Sequence, residues 1–348
     1  MSFKRLDAED FVVSADAVQS IAWSTGAPTL TQFFTSSIQA SGTSGNYYLA
    51  VFQTESGDST AAIQFDIAYG NKYGSGSQYF DSLYEDRTPS STIYGQYRSM
   101  ILEDENAIFI TGIGSTGNTS ASSLTGSTAV EMEDFWVISP DRARYKQSLF
   151  PGTFNLTLSG SGGLLELTDN SNDVSVQTFL GTSRVFQIVS GSNGSGISGG
   201  GYTLNSGSYG LFFPDIATIL LNPEAINDLI EVDSDKSSNL TNGTNQSTLY
   251  AAISGGAAFQ LNSEETITSD YVFVRSRNAE FNYSENPSFI SGSTGEVIYD
   301  NFINNPQVYV TTIGMYNDAN ELLAVAKLSR PLLKDFTKES LVRVKLDF

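Results

Sequence analysis

The side chains best suited to acid–base chemistry in this sequence are carboxylates that stand close together. They form two clusters, Glu103 with Asp104 and Glu105, and Glu131 with Glu133 and Asp134 beside Trp136. Two carboxylates facing a sugar, with an aromatic ring as a platform, are what a glycoside hydrolase needs. The same residues also suit solvated turns that border strands, and nothing in the sequence sets their separation. A glycan-degrading activity therefore comes third among the functions considered, and no residue is assigned as catalytic.

Two residue types on which most enzymes depend are missing. The 348 residues contain no Cys and no His. This excludes thiolate nucleophiles, Cys-ligated metal centres and every catalytic triad that uses His. His is also the most frequent general base and metal ligand. We therefore predict a protein that is not an enzyme and that holds no cofactor.

Oxygen ligands for Ca²⁺ are the remaining route to a metal site. The segment from Asp233 to Asn239 alternates acidic and polar residues in the manner of a calcium loop. It has Ser238 where an EF-hand needs Gly, and Thr244 where it needs a bidentate Glu. We interpret the segment as a polar loop and predict no metal site. Phosphate-binding loops are also excluded, because the short Gly-x-Gly matches lack a strand-to-helix context.

Tyrosines separated by Gly and Ser form a different kind of candidate site. Tyr73, Tyr79 and Tyr84 lie in a loop-like stretch that follows a predicted strand. Tyr joins a large apolar ring to a polar hydroxyl, which suits protein interfaces and glycan binding alike. We predict a protein interface at these residues and keep glycan binding as the alternative. Tyr48 and Tyr69 fall within strand-like runs and are expected in the core.

Basic residues form two groups. The compact group is Arg142, Arg144 and Lys146, and the C-terminal group includes Lys334, Lys338, Arg343 and Lys345. For the compact group a solvated face is the simpler interpretation, and a contact with a phosphate or a partner's carboxylate is the alternative. For the C-terminal group two interpretations stay open. One is a strip that docks on an acidic neighbour, and the other is an edge strand that Lys and Arg protect from stray pairing.

The overall charge and hydropathy exclude several partners. Lys and Arg number 18 and Asp and Glu 38, which gives a formal charge of −20. Such a chain is repelled by nucleic acid and by acidic membrane surfaces. No apolar run of signal-peptide length follows Lys4 and Arg5, and no stretch approaches the 18 apolar residues of a membrane span. We expect no nucleic-acid partner, no membrane partner and no small-molecule ligand.

Strand signals dominate the elements that must position these residues. Residues 60–69 alternate between two faces, and many other runs are rich in β-branched and aromatic residues bounded by turn formers. Helix signals are confined to residues 140–150, 213–230 and 337–341. Within the second of these, Asn222 and Pro223 predict a helix start. The sequence predicts an all-β fold with β-sandwich-like lobes and a few short helices.

A Gly/Ser segment at residues 191–201 is the best candidate domain boundary. We predict an N-terminal β domain over residues 1–190 and a C-terminal β domain over residues 202–348, with a short helix near residues 214–230. A long exposed loop within one domain is the alternative.

Two strand-like runs within residues 308–328 are joined by turn-forming residues from Asn317 to Asn320, which predicts a hairpin. Residues 340–348 alternate apolar with charged side chains and predict a final strand. Such a strand can complete a sheet of its own chain or extend a sheet of a neighbour.

Several segments carry a resemblance to a known class of proteins. They are KRLDAEDFVVSADAVQSIAWS (4–24), IAYGNKYGSGS (67–77), YGQYRSMIL (94–102), ISPDRARYKQSLFPGTFNLTL (138–158) and, after residue 280, EFNYSENPSFI, VYVTTIGMYNDANELLAVAKLSRPLLKDF and LVRVKLDF. These segments resemble virion structural proteins of contractile-tailed, T-even-like bacteriophages, particularly those that infect marine cyanobacteria. The resemblance is scattered over most of the chain, and its motifs are architectural.

The resemblance implies a structural subunit in the tail region of a virion, made in the host cytoplasm. The baseplate is the favoured place, with the neck or fibre-attachment region next. The implied partners are other virion proteins and copies of the chain itself. A carbohydrate-binding adhesin at the tail tip, using the tyrosine loop, is the alternative from another class.

Overall fold

The structure of the protein, a computed structural model, describes residues 4–35, 48–76, 83, 87–111, 130–174, 178–196, 208–232, 244–283 and 286–347. Strands account for 46% and helices for 15%, and the strands pair in large antiparallel sheets. The largest sheet is curled into a half-barrel. The predicted all-β class with a few short helices is confirmed.

The elements are named in chain order. The strands are β1 (Phe11–Ile21), β2 (Thr29–Leu30), β3 (Phe34–Thr35), β4 (Leu49–Phe52), β5 (Ile63–Asn71), β6 (Phe109–Thr111), β7 (Val130–Met132), β8 (Asp134–Pro140), β9 (Ser148–Leu149), β10 (Asn155–Gly160), β11 (Gly163–Asp169), β12 (Thr178–Leu180), β13 (Ser183–Ser192), β14 (Ser195–Gly196), β15 (Gly210–Phe213), β16 (Thr218–Leu221), β17 (Ala258–Gln260), β18 (Asn262–Ser276), β19 (Val308–Tyr316), β20 (Leu322–Lys334) and β21 (Ser340–Asp347). The helices are α1 (Pro89–Leu102), α2 (Pro223–Ile226), α3 (Thr244–Gly256) and α4 (Asp300–Asn304), and 3-10 turns cover Ala8–Asp10 and Arg142–Arg144.

The chain divides into two compact units. Unit 1 comprises Met1–Ala17 and Thr266–Phe348, and unit 2 comprises Val18–Glu265. The boundary predicted at residues 191–201 falls within unit 2, where β13 and β15 on either side of it are hydrogen-bonded neighbours in one sheet. The first part of that Gly/Ser segment forms the tight turn between β13 and β14. Turns and linkers share this composition, because both need small residues with a permissive backbone.

Unit 2 is built on the large sheet, to which thirteen strands belong. The path of neighbours is β2-β17-β10-β11-β13-β15-β16-β8-β5-β4-β3, and β12 and β14 both pair with β13. Strand β8 lies well inside this path, with Ile138 opposite Ile67 of β5 on one side and Ile219 of β16 on the other. A strand with two neighbours satisfies its backbone donors and acceptors within the sheet, so it can be buried completely.

The central strands are buried on both faces. In β8, Trp136 belongs to one hydrophobic cluster, whereas Phe135 and Val137 belong to another. Successive side chains of a strand point to opposite faces, so the two clusters lie on opposite sides of one sheet. Helix α3 contributes Leu249 and Ile253 to the first cluster. Helix α1 and the hairpin of β6 and β7 contribute to the second.

Helix α1 begins at a capped start and buries one face. The Thr88 hydroxyl accepts a hydrogen bond from the Ser91 N–H, and Pro89 occupies the first turn. Its buried large side chains follow helical spacing: Ile93, Tyr94, Tyr97 and Ile101. The ring of Tyr94 stacks on that of Phe135 with centroids 5.0 Å apart. The helix ends at Glu103, which adopts a left-handed conformation.

Unit 1 contains a sheet and a separate hairpin. The sheet order is β1-β18-β21, and β18 pairs with β21 along the whole of β21. Strands β19 and β20 form a long antiparallel hairpin. Its turn is held by Asn317, whose side-chain oxygen accepts the Glu321 N–H at 2.8 Å. The hairpin and the final strand predicted from the sequence are both confirmed.

The helix predicted over residues 213–230 is wrong over most of its length. Strand β16 occupies the apolar run that looked helical, and α2 is limited to four residues. All four residues of β16 are buried, so the run has no polar face to reveal the strand period. The predicted start is confirmed, since the Asn222 side chain accepts the Glu224 N–H at 3.0 Å.

The other two helix signals also mark turns. Pro140 is the last residue of β8, and only a 3-10 turn follows, capped by the Asp141 side chain. Near residues 337–341, the Asp335 side chain accepts the Thr337 N–H at 2.9 Å, and β21 begins at Ser340. Helices α1 and α3 were not predicted.

Candidate interaction surface

Unit 1 buries few hydrophobic side chains for its size. Among its described residues, Val272 and Val344 are the only hydrophobic side chains that are buried. They stand opposite each other on β18 and β21. A unit of about 100 residues that folded around a core of its own would bury many more, as unit 2 does in its two clusters.

Large hydrophobic side chains of unit 1 are exposed instead. Sixteen of them are exposed in the described part of the unit: Phe11, Val12, Val13, Phe281, Tyr283, Ile298, Tyr299, Ile303, Tyr309, Tyr316, Leu322, Leu323, Val325, Leu332, Phe336 and Leu341. The largest group lies on the β19–β20 hairpin, and the others lie on β1, in the segment after β18, around α4 and near β21. Clustered exposed apolar side chains mark surfaces that contact another molecule.

The outer half of the hairpin has an exposed apolar face, which we call the hairpin platform: Gly314, Tyr316, Leu322, Leu323 and Val325. Gly314 stands opposite Val325, and the Tyr316 ring lies across Gly314. A Cβ at residue 314 would come within 2.9 Å of that ring, so the glycine leaves the space that the ring occupies. Leu323 is the extra residue where the register shifts, and its side chain is 69% exposed.

The C-terminal basic residues Arg343 and Lys345 lie on the charged face of β21. Their cationic groups stand 5.4 Å and 6.0 Å from the centre of the Tyr271 ring. Lys345 also forms an ion pair with Asp347 at 2.8 Å, and this hydrogen bond raises the pKa of Lys345. Strand β21 ends the described sheet order, a position where Lys and Arg protect an edge. Both residues remain exposed and able to meet a partner.

Lys334 is not available as a docking residue, contrary to the prediction. Its side chain is completely buried, and its Nζ donates to the Asn282 Oδ1 at 2.7 Å and to the Asn278 carbonyl at 3.1 Å. Burial lowers the pKa of this ammonium group. These hydrogen bonds connect the hairpin to the segment 278–282, some 50 residues earlier in the chain. Lys338 is exposed, and its nearest carboxylate is that of Asp335 at 3.9 Å.

Tyr73 lies in unit 2, just after the end of β5. Its hydroxyl donates to the Glu133 carboxylate at 2.8 Å, and this hydrogen bond raises the pKa of Tyr73. Its backbone is held by the Asn71 side chain, which accepts the Tyr73 N–H at 2.9 Å. Tyr79 and Tyr84, predicted to share a surface with it, lie outside the described residues. Tyr73 thus offers a fixed ring with a polar handle.

The carboxylate clusters do not form a sugar-cleaving arrangement with Trp136. This residue is completely buried, and its indole N–H donates to the Asn245 carbonyl at 3.0 Å. It therefore cannot serve as a sugar platform. Asp134 accepts the Tyr69 hydroxyl at 2.7 Å, and burial raises its pKa. The other cluster consists of exposed turn residues after α1: Glu103, Asp104 and Glu105.

Two of the basic residues that follow β8, Arg142 and Lys146, have partners within unit 2. The Arg142 guanidinium lies 4.7 Å from the centre of the Tyr145 ring and donates to the Tyr145 carbonyl. Lys146 forms an ion pair with Glu265, and Arg144 is half-buried. Arg142 and Lys146 are thus exposed and paired locally, whereas the buried Nε of Arg144 has no hydrogen-bond partner among the described residues.

The described ranges contain neither a group of acidic residues suited to a metal ion nor a membrane-spanning helix. Within them, no group of three or more acidic residues could hold a metal ion. The calcium-like segment at residues 233–239 lies outside these ranges. None of the helices described is both long and apolar enough to cross a bilayer.

Sequence reasoning did not select the hairpin platform. A signal was present: the run Leu322–Val325 is apolar at consecutive positions, so both faces of β20 carry hydrophobic residues. A two-stranded hairpin cannot cover its own faces, so apolar residues on both of them indicate that another surface packs against the hairpin. The chemistry that the platform offers is apolar contact bordered by charges.

In comparisons with known proteins, no family model, curated protein or solved structure matches this chain.

Proposed function

We propose that this protein is a structural subunit of a bacteriophage virion, in the tail baseplate or in the adjoining neck or fibre-attachment region. It works by assembly: it buries surfaces against neighbouring subunits and carries out no reaction. The observation that supports this proposal is the shortage of buried hydrophobic side chains in unit 1. The resemblance of several segments to virion proteins supplies the setting.

The exposed apolar area of unit 1 is of the size that stable interfaces use. The exposed fractions of its sixteen large side chains add up to between eight and nine whole side chains. At roughly 150 Å² for each, they offer on the order of 1,300 Å². A standard interface buries about 800 Å² on each partner. Because these side chains are spread over several elements, more than one neighbour can be contacted.

Purified particles provide the test. We expect quantitative mass spectrometry to find the chain at a fixed copy number that matches the rotational symmetry of the tail. In a cryo-electron microscopy map, the exposed side chains of unit 1 should be covered by neighbouring subunits. Absence of the chain from the particles would refute the proposal. A map in which unit 1 faces solvent throughout would refute the assembly mechanism.

The Tyr73–Glu133 pair favours the second candidate, a carbohydrate-binding adhesin. A fixed tyrosine ring beside a carboxylate combines stacking with hydrogen bonding, which glycan sites use. Saturable binding on a glycan array would favour this candidate.

A further inference from the structure

We propose that the hairpin platform contacts the same platform of a second copy of this chain, so that the protein self-associates through unit 1. This inference rests on the proposed assembly function, and it names the partner of one surface. It follows from the geometry of the hairpin, the charges along it and the distribution of charge between the units.

The hairpin has one face partly covered and the other open. In the described part of the chain, β19 and β20 form a sheet of only two strands, and such a ribbon is marginal by itself in water. One face is partly covered, since Ile313 and Met315 are half-buried. The platform face is open, with Val325 58% exposed. Contact with a second copy of the chain would bury this face.

The charges along the hairpin are self-complementary. Asp318 and Glu321 lie on the tip side of Val325, whereas Lys327 and Arg330 lie on the other side, and all four are exposed. When two copies meet in opposite directions about a two-fold axis near Val325, the acids of each tip lie near the bases of the other copy. A surface that complements itself in this way is what a two-fold interface requires.

The distribution of charge between the units also favours unit 1 as the part through which two copies meet. Unit 1 has ten Lys and Arg against fourteen Asp and Glu, whereas unit 2 has eight against 24. Two copies that met through unit 2 would bring two strongly negative surfaces together, which like-charge repulsion opposes. Unit 1 is nearly balanced, so copies can approach through it.

Sedimentation velocity on the full chain, from about 1 to 100 µM, tests the inference. We expect concentration-dependent self-association of the wild type. Leu323→Asp should weaken it at least tenfold, because a charge would replace an apolar contact. Leu164→Asp in unit 2 is the matched control, since Leu164 is also an exposed strand leucine, 70% against 69% for Leu323. A wild-type monomer across this range would overturn the inference, as would equal effects of the two variants.

A charge exchange tests the two-fold arrangement. Glu321→Lys puts a base in place of an acid on the tip side of Val325, and Lys327→Glu puts an acid in place of a base on the other side. Each variant alone should associate less than the wild type, and an equal mixture of the two should recover association, because opposite hairpins then meet. Failure of the mixture to recover would contradict the antiparallel contact. Unchanged tryptophan fluorescence would show that both variants keep unit 2 folded.

The inference and the virion proposal fail separately. A monomeric chain that is nevertheless present in particles would refute self-association and leave the virion proposal intact, with another protein covering the platform. A self-associating chain that is absent from particles would support self-association and refute the virion proposal.

Discussion

Replacing Asp66 with Asn is expected to stabilise unit 2 at neutral pH. Asp66 lies on β5, where it pairs with Ala50 of β4 and Ser139 of β8. Burial, and to a smaller extent the charge of Asp141, raises its pKa to about 6. At pH 7.5 the carboxylate is ionised in surroundings that disfavour its charge. A neutral amide of the same shape avoids that cost.

The magnitude follows from the two pKa values. An aspartate in the unfolded chain titrates near pH 4, and the difference from about 6 corresponds to roughly 3 kcal/mol. Asp66 is partly exposed, and solvent screening reduces this to about 1–1.5 kcal/mol. Because the folded pKa is the higher one, the folded state holds the extra proton between about pH 4 and 6. The wild type therefore loses stability as the pH rises through that window, and the variant lacks the part of this loss that Asp66 causes.

Tryptophan fluorescence follows this effect in unit 2 alone. Both tryptophans, Trp23 and Trp136, lie in unit 2 and are buried. At pH 7.5 the Asp66→Asn variant should melt roughly 2–5 °C above the wild type, and near pH 4 the two should melt together.

A control variant separates charge from other effects. Asp58 is exposed, and hydrogen bonds from Thr60 lower its pKa. Asp58→Asn should therefore give no gain at pH 7.5. Equal gains for Asp66→Asn at pH 4 and pH 7.5 would show that ionisation is not the cause. No gain at pH 7.5 would refute the reasoning entirely.

Three further predictions concern packing, assembly and binding. In Gly256→Ala the new Cβ would lie 1.9 Å from the Thr157 carbonyl oxygen, so thermal unfolding should show a loss of roughly 2–3 kcal/mol in the free energy of unfolding. Gly57 has open space around it, so Gly57→Ala should change this free energy by less than about 0.5 kcal/mol. Equal losses in the two variants would contradict the clash. Removal of residues 341–348 deletes nearly all of β21 and should reduce incorporation into particles more than it reduces solubility, and normal incorporation would rule out docking by the C-terminal strand. If the protein binds glycans through its tyrosine loop, Tyr73→Ala should abolish binding on a glycan array, and undiminished binding would exclude that site.

The sequence was most informative where one face of an element is polar or a cap is local. The hairpin turn at Asn317 and the helix start at Asn222 depend on neighbours within four residues, and both were predicted. Strand β16 and helix α1 depend on tertiary packing. β16 lacks a polar face because the sheet is covered on both sides, and α1 is rich in Ser, Thr and Tyr, which are weak helix formers. Its amphipathic burial overrides that preference.

The candidate surface was only partly predictable for the same reason. Arg343 and Lys345 could be placed on an exposed face from the alternation of β21. Lys334 lies in the same basic stretch, but it is buried and donates hydrogen bonds to Asn278 and Asn282. No local sequence pattern predicts a contact between residues some 50 positions apart. The hairpin platform was missed because its significance depends on how little core the rest of unit 1 has.

The sheet order β1-β18-β21 has a consequence for the timing of synthesis. β1 leaves the ribosome early, yet its neighbour β18 begins only at residue 262, after all but the last few residues of unit 2 have been made. At 5–20 residues per second, the wait is on the order of tens of seconds. Most of unit 2 is synthesised during this interval, while the sheet of unit 1 stays incomplete until β21 has been translated. The surface that we propose for self-association is therefore completed after nearly all of unit 2 has been synthesised, which limits association between chains that are still growing.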